Sequence, residues 1–284
     1  MPLTQVERVR RFNRTVTQRI GALDDAYLAR GRPLGQCRVL WEIGDEGSEV
    51  RALRARLDLD SGYLSRLLSA LRADGLVEVS AAADGRVRTA RLTPAGAAER
   101  DELDRRSDDL ATDILARLDE SQRGRLVAAM GEVERLLVAS MVRVAPVDPG
   151  APEARACLDA YVAELATRFD GGFDPARSIP AEGALMLVAT LHAEPVGCGA
   201  LRFHGSWAAV KRMWVAPSVR GLGLGRRLLA ELEATAAARE VRTLRLETNK
   251  SLTEAIALYR SAGYREVPAF NDEPYAHHWF EKDL

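Results

Sequence analysis

The sequence predicts two domains of different class, a mainly helical one followed by an α/β one. Its 284 residues exceed what one ordinary domain of roughly 100–200 residues needs. In the first half, apolar residues recur at helical spacing, as in the series from Leu126 through Met130 and Val133. In the second half, segments with strand-like alternation are interleaved with helical ones, which is typical of an α/β domain. We therefore expect the domains to occupy residues 1–140 and 141–284.

Composition and charge indicate a globular protein without a membrane segment. Hydrophobic residues make up 47% and charged residues 29%, and no apolar run approaches the roughly 20 residues that span a bilayer. The formal net charge of −1 indicates no partner by itself. The first residues are polar and basic, unlike a signal peptide, and the three cysteines are too far apart for a metal or redox motif. We expect a cytoplasmic protein that binds no metal and no membrane.

The helical half contains a helix-turn-helix pattern followed by a hairpin. In the second helix of the pattern, leucines recur every three or four positions from Leu64 to Leu71 and predict one buried face. The opposite face is polar and suited to contacts with DNA bases and phosphates. Gly75 ends the helix, and Asp84-Gly85 supplies the turn of a two-stranded hairpin, or wing.

These features resemble the MarR family of transcriptional regulators over roughly residues 1–140. The similarity rests on Ser65-Arg66, on Gly75–Val77, on Asp84 and Arg86 in the wing, and on LTPAG at 92–96. It implies a winged helix-turn-helix domain that forms a homodimer on double-stranded DNA with a near-palindromic operator, its recognition helices about 34–36 Å apart. The residues implied in DNA binding are Ser61, Tyr63, Ser65, Arg66, Arg72, Arg86 and Arg88. A domain that only dimerises is the alternative, because the local positive charge is modest.

The second half contains five strand-like segments and two helical ones. Prolines at positions 146, 149 and 152 argue against a long helix after the first strand. The strands are expected at Val142–Val147, Gly183–Leu191, Glu194–Phe203, Ala208–Val215 and Thr243–Asn249. The helices are expected at Leu224–Arg239 and Ser251–Ala262.

The segment VRGLGLGRRL (219–228) follows the fourth strand and opens a helix. It does not match the dinucleotide-binding pattern G-x-G-x-x-G, because Arg226 stands where the third glycine belongs, and it is no G-x-x-x-x-G-K-[ST] phosphate loop. Glycines let a backbone turn its N–H groups toward one anion, and a helix N-terminus adds its positive end. The segment therefore predicts a turn that binds pyrophosphate.

This strand and turn, with Arg220-x-x-Gly223-x-Gly225, resemble the acyl-coenzyme A motif of the GNAT acetyltransferases. The resemblance covers residues 142–284 and includes VKRMWVAP, LRLETN and AIALYRSAGY. It implies an N-acetyltransferase with a mixed central sheet, acetyl-CoA as acyl donor and a small-molecule amine as acceptor. The residues implied in acetyl-CoA binding are Met213, Trp214, Val215, Arg220, Gly221, Leu222, Gly223, Leu224, Gly225, Arg226, Asn249 and Tyr259.

Direct attack of an amine on the thioester needs a proton donor and a base. The resemblance implies that Tyr259 protonates the departing thiolate, which suits a phenol of pKa about 10, while packing is its alternative role. Many relatives carry a glutamate before the glycine-rich turn, but this chain has Ala208-Ala209 there, so Glu247 on the next strand is the candidate base. His277 and His278 are alternatives, and as neighbours on a strand they cannot both face one site.

Several functions fit these residues. The first is a protein that is both a regulator and an N-acetyltransferase. The second is a regulator whose second domain only senses acetyl-CoA or another ligand. The third is an acetyltransferase whose helical half serves only to dimerise it. The intact turn and Tyr259 favour chemistry, and the pair Asp84 and Arg86 favours DNA binding. Four aromatic residues either wall the acceptor pocket or belong to the core: Phe169, Phe173, Tyr275 and Trp279.

Overall fold

A computed structural model describes residues 4–81, 87–177 and 183–284 and forms two compact units, Met1–Met130 and Gly131–Leu284. The predicted fold class is confirmed, because the first unit is helical with a small sheet and the second has a mixed sheet with helices. No helix in the described ranges is long and apolar enough to cross a membrane. The helices before residue 142 are α1 (Gln5–Arg19), α2 (Leu34–Ile43), α3 (Val50–Leu57), α4 (Ser61–Ala73), α5 (Pro94–Ala116) and α6 (Glu120–Met141).

The helix-turn-helix predicted from the leucine spacing is present as α3, a turn and α4. Asp58 ends α3 in the left-handed conformation with φ 49°, which turns the chain sharply. Asp60 then caps α4, since its Oδ1 accepts a hydrogen bond of 2.9 Å from the backbone N–H of Tyr63. The buried side chains of α4 are Leu64, Leu67, Leu68 and Leu71. Their burial turns the polar face of α4 outward.

The wing is an antiparallel hairpin that a third short strand extends. The strands are β1 (Ser48–Glu49), β2 (Val77–Ala81) and β3 (Arg88–Leu92), in the order β1-β3-β2. Thr93 caps α5 and donates its hydroxyl to Gly75 O at 2.7 Å, which ties α5 to the end of α4. A β carbon on Gly96 would lie 1.9 Å from Leu76 O, so only glycine allows this close approach.

The second unit is built on a seven-stranded sheet in the order β4-β5-β6-β7-β8-β10-β9. Among the described strands only β7 and β8 pair in parallel, and β10, the last of them in chain order, lies between β8 and β9. The strands are β4 (Arg143–Val147), β5 (Leu185–Leu191), β6 (Glu194–His204), β7 (Trp207–Val215), β8 (Thr243–Thr248), β9 (Arg265–Val267) and β10 (His278–Asp283). The helices are α7 (Pro152–Arg168), α8 (Leu224–Ala237) and α9 (Thr253–Ser261).

The expectation of no long helix after the first strand of this unit was wrong. Helix α7 is 17 residues long and begins at Pro152. Proline is compatible with the first helical turn, because the N–H that it lacks would have no partner there and its φ already suits a helix. Prolines at 146 and 149 precede the helix and do not interrupt it.

Helices α7 and α8 cover opposite faces of the sheet. Along β5, Leu187 and Ala189 belong to the buried cluster that contains the leucines of α8, whereas Met186 and Val188 belong to a second cluster with α7. Successive strand residues point to opposite faces, so the two clusters are the two sides of one sheet.

Candidate functional site

Strands β7 and β8 pair only at the beginning of β7 and then diverge. Parallel pairing joins Trp207–Ala209 to Thr243–Arg245 and goes no further. Beyond Ala209, the edge of β7 toward β8 has no strand partner in the described part of the chain. An open edge presents backbone groups that an extended ligand can pair with, and Met213–Val215 lie on it.

A β-bulge interrupts β7 at the same level. Cys198 pairs with Trp214 and Ala200 with Lys211, so two residues of β7 stand opposite Gly199 alone. One of them, Arg212, has a φ of 56° in the left-handed region. A bulge changes the direction of side chains, and here the neighbours Lys211 and Arg212 both line one cavity, whereas a regular strand would send them to opposite faces.

The segment Arg220–Gly225, called the glycine turn below, leads into α8. Gly221 and Gly223 have φ values of 82° and 76°, and a β carbon on either would meet no atom within 4 Å. Gly223 is the N-cap of α8, and no side chain caps the helix there. A turn with open space beside it and uncapped N–H groups has the features that bind an anion. The glycine turn therefore fits a pyrophosphate.

The guanidinium of Arg220 is held by the protein itself. Its Nε donates to Val215 O at 2.9 Å, and its Nη2 lies 2.5 Å from Glu164 Oε2 on α7. Burial opposes the ionisation of Glu164, but hydrogen bonds from Arg220 and Trp214 outweigh that effect and lower its pKa. Arg220 thus fixes the glycine turn to the end of β7 and to α7.

The two arginines on the first turn of α8 also bond to protein oxygens. Arg226 Nη2 donates to Ser261 Oγ at 2.6 Å, and Arg227 Nη1 donates to Val142 O at 2.8 Å. Their side chains anchor α8 to neighbouring elements. What Arg226 offers an anion is its backbone N–H in the first helical turn.

A cavity of about 90 Å³ lies beside the diverging strands, and one of its walls is aromatic. The ring centroids of Phe173 and Tyr275 are 4.9 Å apart, and those of Phe169 and Phe173 are 5.7 Å apart. Three of the four aromatic residues proposed from the sequence therefore meet at this cavity. Trp279 does not line it, because its Nε1 is directed to Asn271 Oδ1 at 2.9 Å.

Tyr259 lies on the cavity wall between aromatic neighbours. It is 6% exposed, and its ring centroid is 5.9 Å from that of Tyr264 and 6.0 Å from that of Phe280. Burial raises its pKa above the usual range, and the charges of Tyr161 and Glu247 add to this rise. The hydroxyl therefore keeps its proton at neutral pH, as a proton donor requires.

Glu247 lies on the cavity wall as one half of an ion pair. Its carboxylate contacts the ammonium of Lys211 and accepts a hydrogen bond of 3.3 Å from Asn271 Nδ2. The alternative histidines do not line the cavity, and His278 Nδ1 lies 2.7 Å from Glu266 Oε1 instead. Of the sequence-derived candidate bases, only Glu247 reaches the cavity.

Asn249 lines the cavity at the end of β8 and shapes the turn that follows. Its Nδ2 donates to Tyr275 O at 2.8 Å, and its Oδ1 accepts from Ser251 N at 2.9 Å. With 7% exposure, it fixes the floor of the cavity next to α9.

The cavity residues that sequence reasoning missed include Tyr161, Lys211, Arg212 and Glu273. Tyr161 was missed because the prolines argued against a helix in the region that forms α7. Lys211 and Arg212 were quoted as part of a strand, but the bulge that brings both into the cavity leaves no mark in the alternation of apolar residues. The run VKRM was the available signal, since two adjacent cations interrupt an otherwise apolar strand.

In the first unit, the exposed face of α4 carries the residues expected at DNA. Arg66 lies 5.6 Å from the ring centroid of Tyr63, so the two side chains are neighbours on this face. Ser61, Tyr63, Ser65, Arg66 and Arg72 of α4 and Arg88 of β3 are all exposed. Asp84 and Arg86, predicted for the wing, lie outside the described residues. The described part thus presents an exposed polar face on α4 and an exposed arginine, Arg88, on β3.

Two families match separate parts of the chain. The acetyltransferase (GNAT) family matches residues 154–264, and the MarR family matches residues 30–87. The curated relative IAA acetyltransferase of Azospirillum brasilense is 35% identical over 115 residues, which cover 40% of this chain and 75% of that protein.

Solved structures are similar to the second half. One, from Klebsiella pneumoniae and named as a candidate acyl-CoA N-acyltransferase, is 34% identical with a TM-score of 0.43, covering 51% of this chain and 98% of that one. A GNAT acetyltransferase of Elizabethkingia anophelis with acetyl-CoA bound is 17% identical with a TM-score of 0.37, covering 51% of this chain and 99% of that one.

The family match and the sequence relative define an acyltransferase, as predicted. The chain belongs to the acetyltransferase (GNAT) family, and it joins that domain to a MarR-family domain in its first half. The predicted combination of these two families is confirmed.

Proposed function

We propose that this protein is both a DNA-binding regulator and an acetyl-CoA-dependent N-acetyltransferase that acetylates a small-molecule amine. The regulator domain occupies residues 1–140 and the acetyltransferase domain residues 141–284. The observation that carries the enzymatic part is the open edge of β7 beside the glycine turn, with Tyr259 and Glu247 on one cavity.

The open edge and the turn divide the binding of acetyl-CoA between them. The backbone of Met213–Val215 pairs with the amide-containing arm, and the N–H groups of Arg220–Arg226 hold the pyrophosphate. Asn249 bonds the arm at the end of β8. The positive φ values and the open space at Gly221 and Gly223 support this assignment.

Acetyl-CoA supplies an acetyl group carried on a thioester. Tyr259 holds a proton on its hydroxyl for the departing sulfur, and Glu247 accepts the proton that the attacking amine loses. A carbon–nitrogen bond forms as the carbon–sulfur bond breaks. The amine nitrogen loses one proton and the sulfur gains one, so the step balances. The cavity contributes by holding the amine beside the reacting carbon.

The regulator part rests on the exposed face of α4. Ser61, Tyr63, Ser65, Arg66 and Arg72, with Arg86 and Arg88 of the wing, contact a near-palindromic operator in double-stranded DNA. A homodimer buries apolar side chains that α1 and α6 expose, such as Phe12 at 45% and Leu137 at 57% exposure. Both activities belong in the cytoplasm.

The test is amine-dependent release of free thiol from acetyl-CoA by the full chain, measured over a panel of small amines. We expect release with at least one amine and none without an amine. Acetyl-CoA binding without release on any amine would instead mean that the second domain is a sensor.

A further inference from the structure

Arg212 lines the cavity as a cation without an acidic partner. Its half-buried guanidinium lies 5.7 Å from the ring centroid of Tyr161, which orients it, and it forms no ion pair within the described ranges. The neighbouring Lys211, by contrast, is neutralised by Glu247. Removing an unpaired charge from water is costly, so such a group is expected to meet an anion when its cavity is filled.

The backbone at Arg212 is strained in a way that serves this position. A φ of 56° is unfavourable for a residue with a β carbon. Without the bulge, alternation would direct Arg212 to the face that α8 covers. The bulge, with its strained backbone at Arg212, therefore places the guanidinium in the cavity.

Besides the cation of Arg212, the cavity wall carries carboxylates and aromatic rings. Two carboxylates line the cavity and can accept hydrogen bonds from an amine, Glu273 and also Glu247 while it is paired with Lys211, and Phe169, Phe173 and Tyr275 offer apolar surface. A ligand that satisfies all three kinds of wall carries an anionic group, an amine and an apolar side chain. An α-amino acid has these three groups on one carbon atom.

Building on the proposed function, we propose that Arg212 determines acceptor specificity by binding a carboxylate, and that the acceptor is an α-amino acid with an apolar side chain. Arginine is suited to this role because its planar fork binds a carboxylate through two parallel hydrogen bonds. The amine of the same molecule is then held near the carboxylates of the wall.

Calorimetric titration in the presence of coenzyme A tests binding apart from turnover. The ligands are phenylalanine and leucine, each compared with its decarboxylated amine and its primary amide. We expect the amino acid to bind about tenfold or more tightly than either analogue, and Arg212→Met to remove this preference. Arg212→Lys should restore part of it.

The matched control is Arg242→Met, because Arg242 is exposed, lacks an ion pair in the described residues and does not line the cavity. Coenzyme A affinity and melting temperature should be unchanged in all three variants. Equal binding of the amino acid and its amine by the wild type, or an undiminished preference in Arg212→Met, overturns the inference. Thiol release on simple amines without this preference retains the proposed function and refutes the inference. A preference for the amino acid without thiol release on any amine would support the inference and refute the proposed function.

Discussion

At the scale of single residues, burial of Tyr259 on the cavity wall decides its protonation state. Tyr259 is surrounded by rings and apolar side chains, and this burial raises the pKa of its phenol. A raised pKa means that the protonated form persists to a higher pH than in free tyrosine. The alkaline limb of the rate profile should therefore not come from loss of this proton near pH ~10, the ordinary tyrosine value.

Tyr259→Phe should lower kcat by about 100-fold while acetyl-CoA affinity changes little, because only the proton donor is lost. Steady-state kinetics on a turned-over amine and calorimetry with acetyl-CoA measure the two effects. Tyr264→Phe is the control, since this second buried tyrosine does not line the cavity. Unchanged turnover in Tyr259→Phe would assign Tyr259 to packing.

Residues fixed by local pattern could be predicted, and residues fixed by an irregularity could not. The resemblance to the GNAT acetyltransferases implied Tyr259 and left Glu247 as the substitute base, and the helix and strand predicted by periodicity carry both to the cavity wall. Arg212 depends on one extra residue in β7, which alternation cannot reveal. For Trp279 the sequence left pocket and core open, because its position on β10 does not show that Asn271 accepts its indole N–H.

At the scale of elements, the glycine turn is where a side chain should matter most. Gly225→Val adds a side chain to the first turn of α8, where a β carbon meets only Leu258 at 3.4 Å and Val215 at 3.9 Å. The fold should tolerate this, while acetyl-CoA affinity should fall by about tenfold or more because access to the helix N-terminus narrows. Calorimetry measures the change.

Gly131→Val on α6 is the control for valine at a helical glycine, since its β carbon meets no atom within 4 Å. Gly223 is a poorer choice, because its φ of 76° would strain any valine whether or not pyrophosphate binds there. If Gly225→Val binds acetyl-CoA with wild-type affinity, the pyrophosphate does not bind at the glycine turn.

A second element-scale prediction concerns Glu99 on α5. It is 7% exposed and bonded by Arg30 Nη2 at 2.5 Å and Arg32 Nε at 3.2 Å, which ties α5 to the segment before α2. The hydrogen bond from Arg30 lowers its pKa despite burial. Because the pKa of Glu99 is lower in the folded protein, its carboxylate stabilises the fold at pH values above the unfolded pKa of about 4.3. This stabilisation is lost as the pH falls through the pKa of the folded state.

Glu99→Gln should therefore lower the free energy of unfolding by about 2 kcal/mol at pH 7. The difference between variant and wild type should shrink as pH falls below about 4. Urea unfolding of both proteins across this pH range measures it. A difference that stays constant with pH would mean that charge is not its cause.

At the scale of the whole molecule, we expect a dimer in which α4 of each protomer contacts a specific DNA site. Arg66→Ala should weaken binding to the specific site by at least about 1 kcal/mol, because Arg66 is on the exposed face and its loss leaves the leucine core intact. Mobility shifts on DNA from a genomic selection measure this. Arg155→Ala, an exposed arginine of α7, removes the same charge elsewhere and should have no effect.

If the purified protein retards no fragment even at low salt, the helical half is a dimerisation domain. Size-exclusion chromatography with light scattering separates this outcome from loss of the dimer. A monomer would contradict the assembly that the exposed apolar residues of α1 and α6 support.

The position of β10 between β8 and β9 determines when the second unit can form during synthesis. Phe280 on this strand is fully buried, and residues 278–283 pair with both neighbours. The sheet is incomplete until these residues have left the ribosome, whereas the helix-turn-helix and strands β1 to β3 lie within residues 48–92. The helix-turn-helix and wing can therefore begin to fold on the nascent chain before β10 has been synthesised, whereas the sheet of the second unit cannot be completed until β10 emerges.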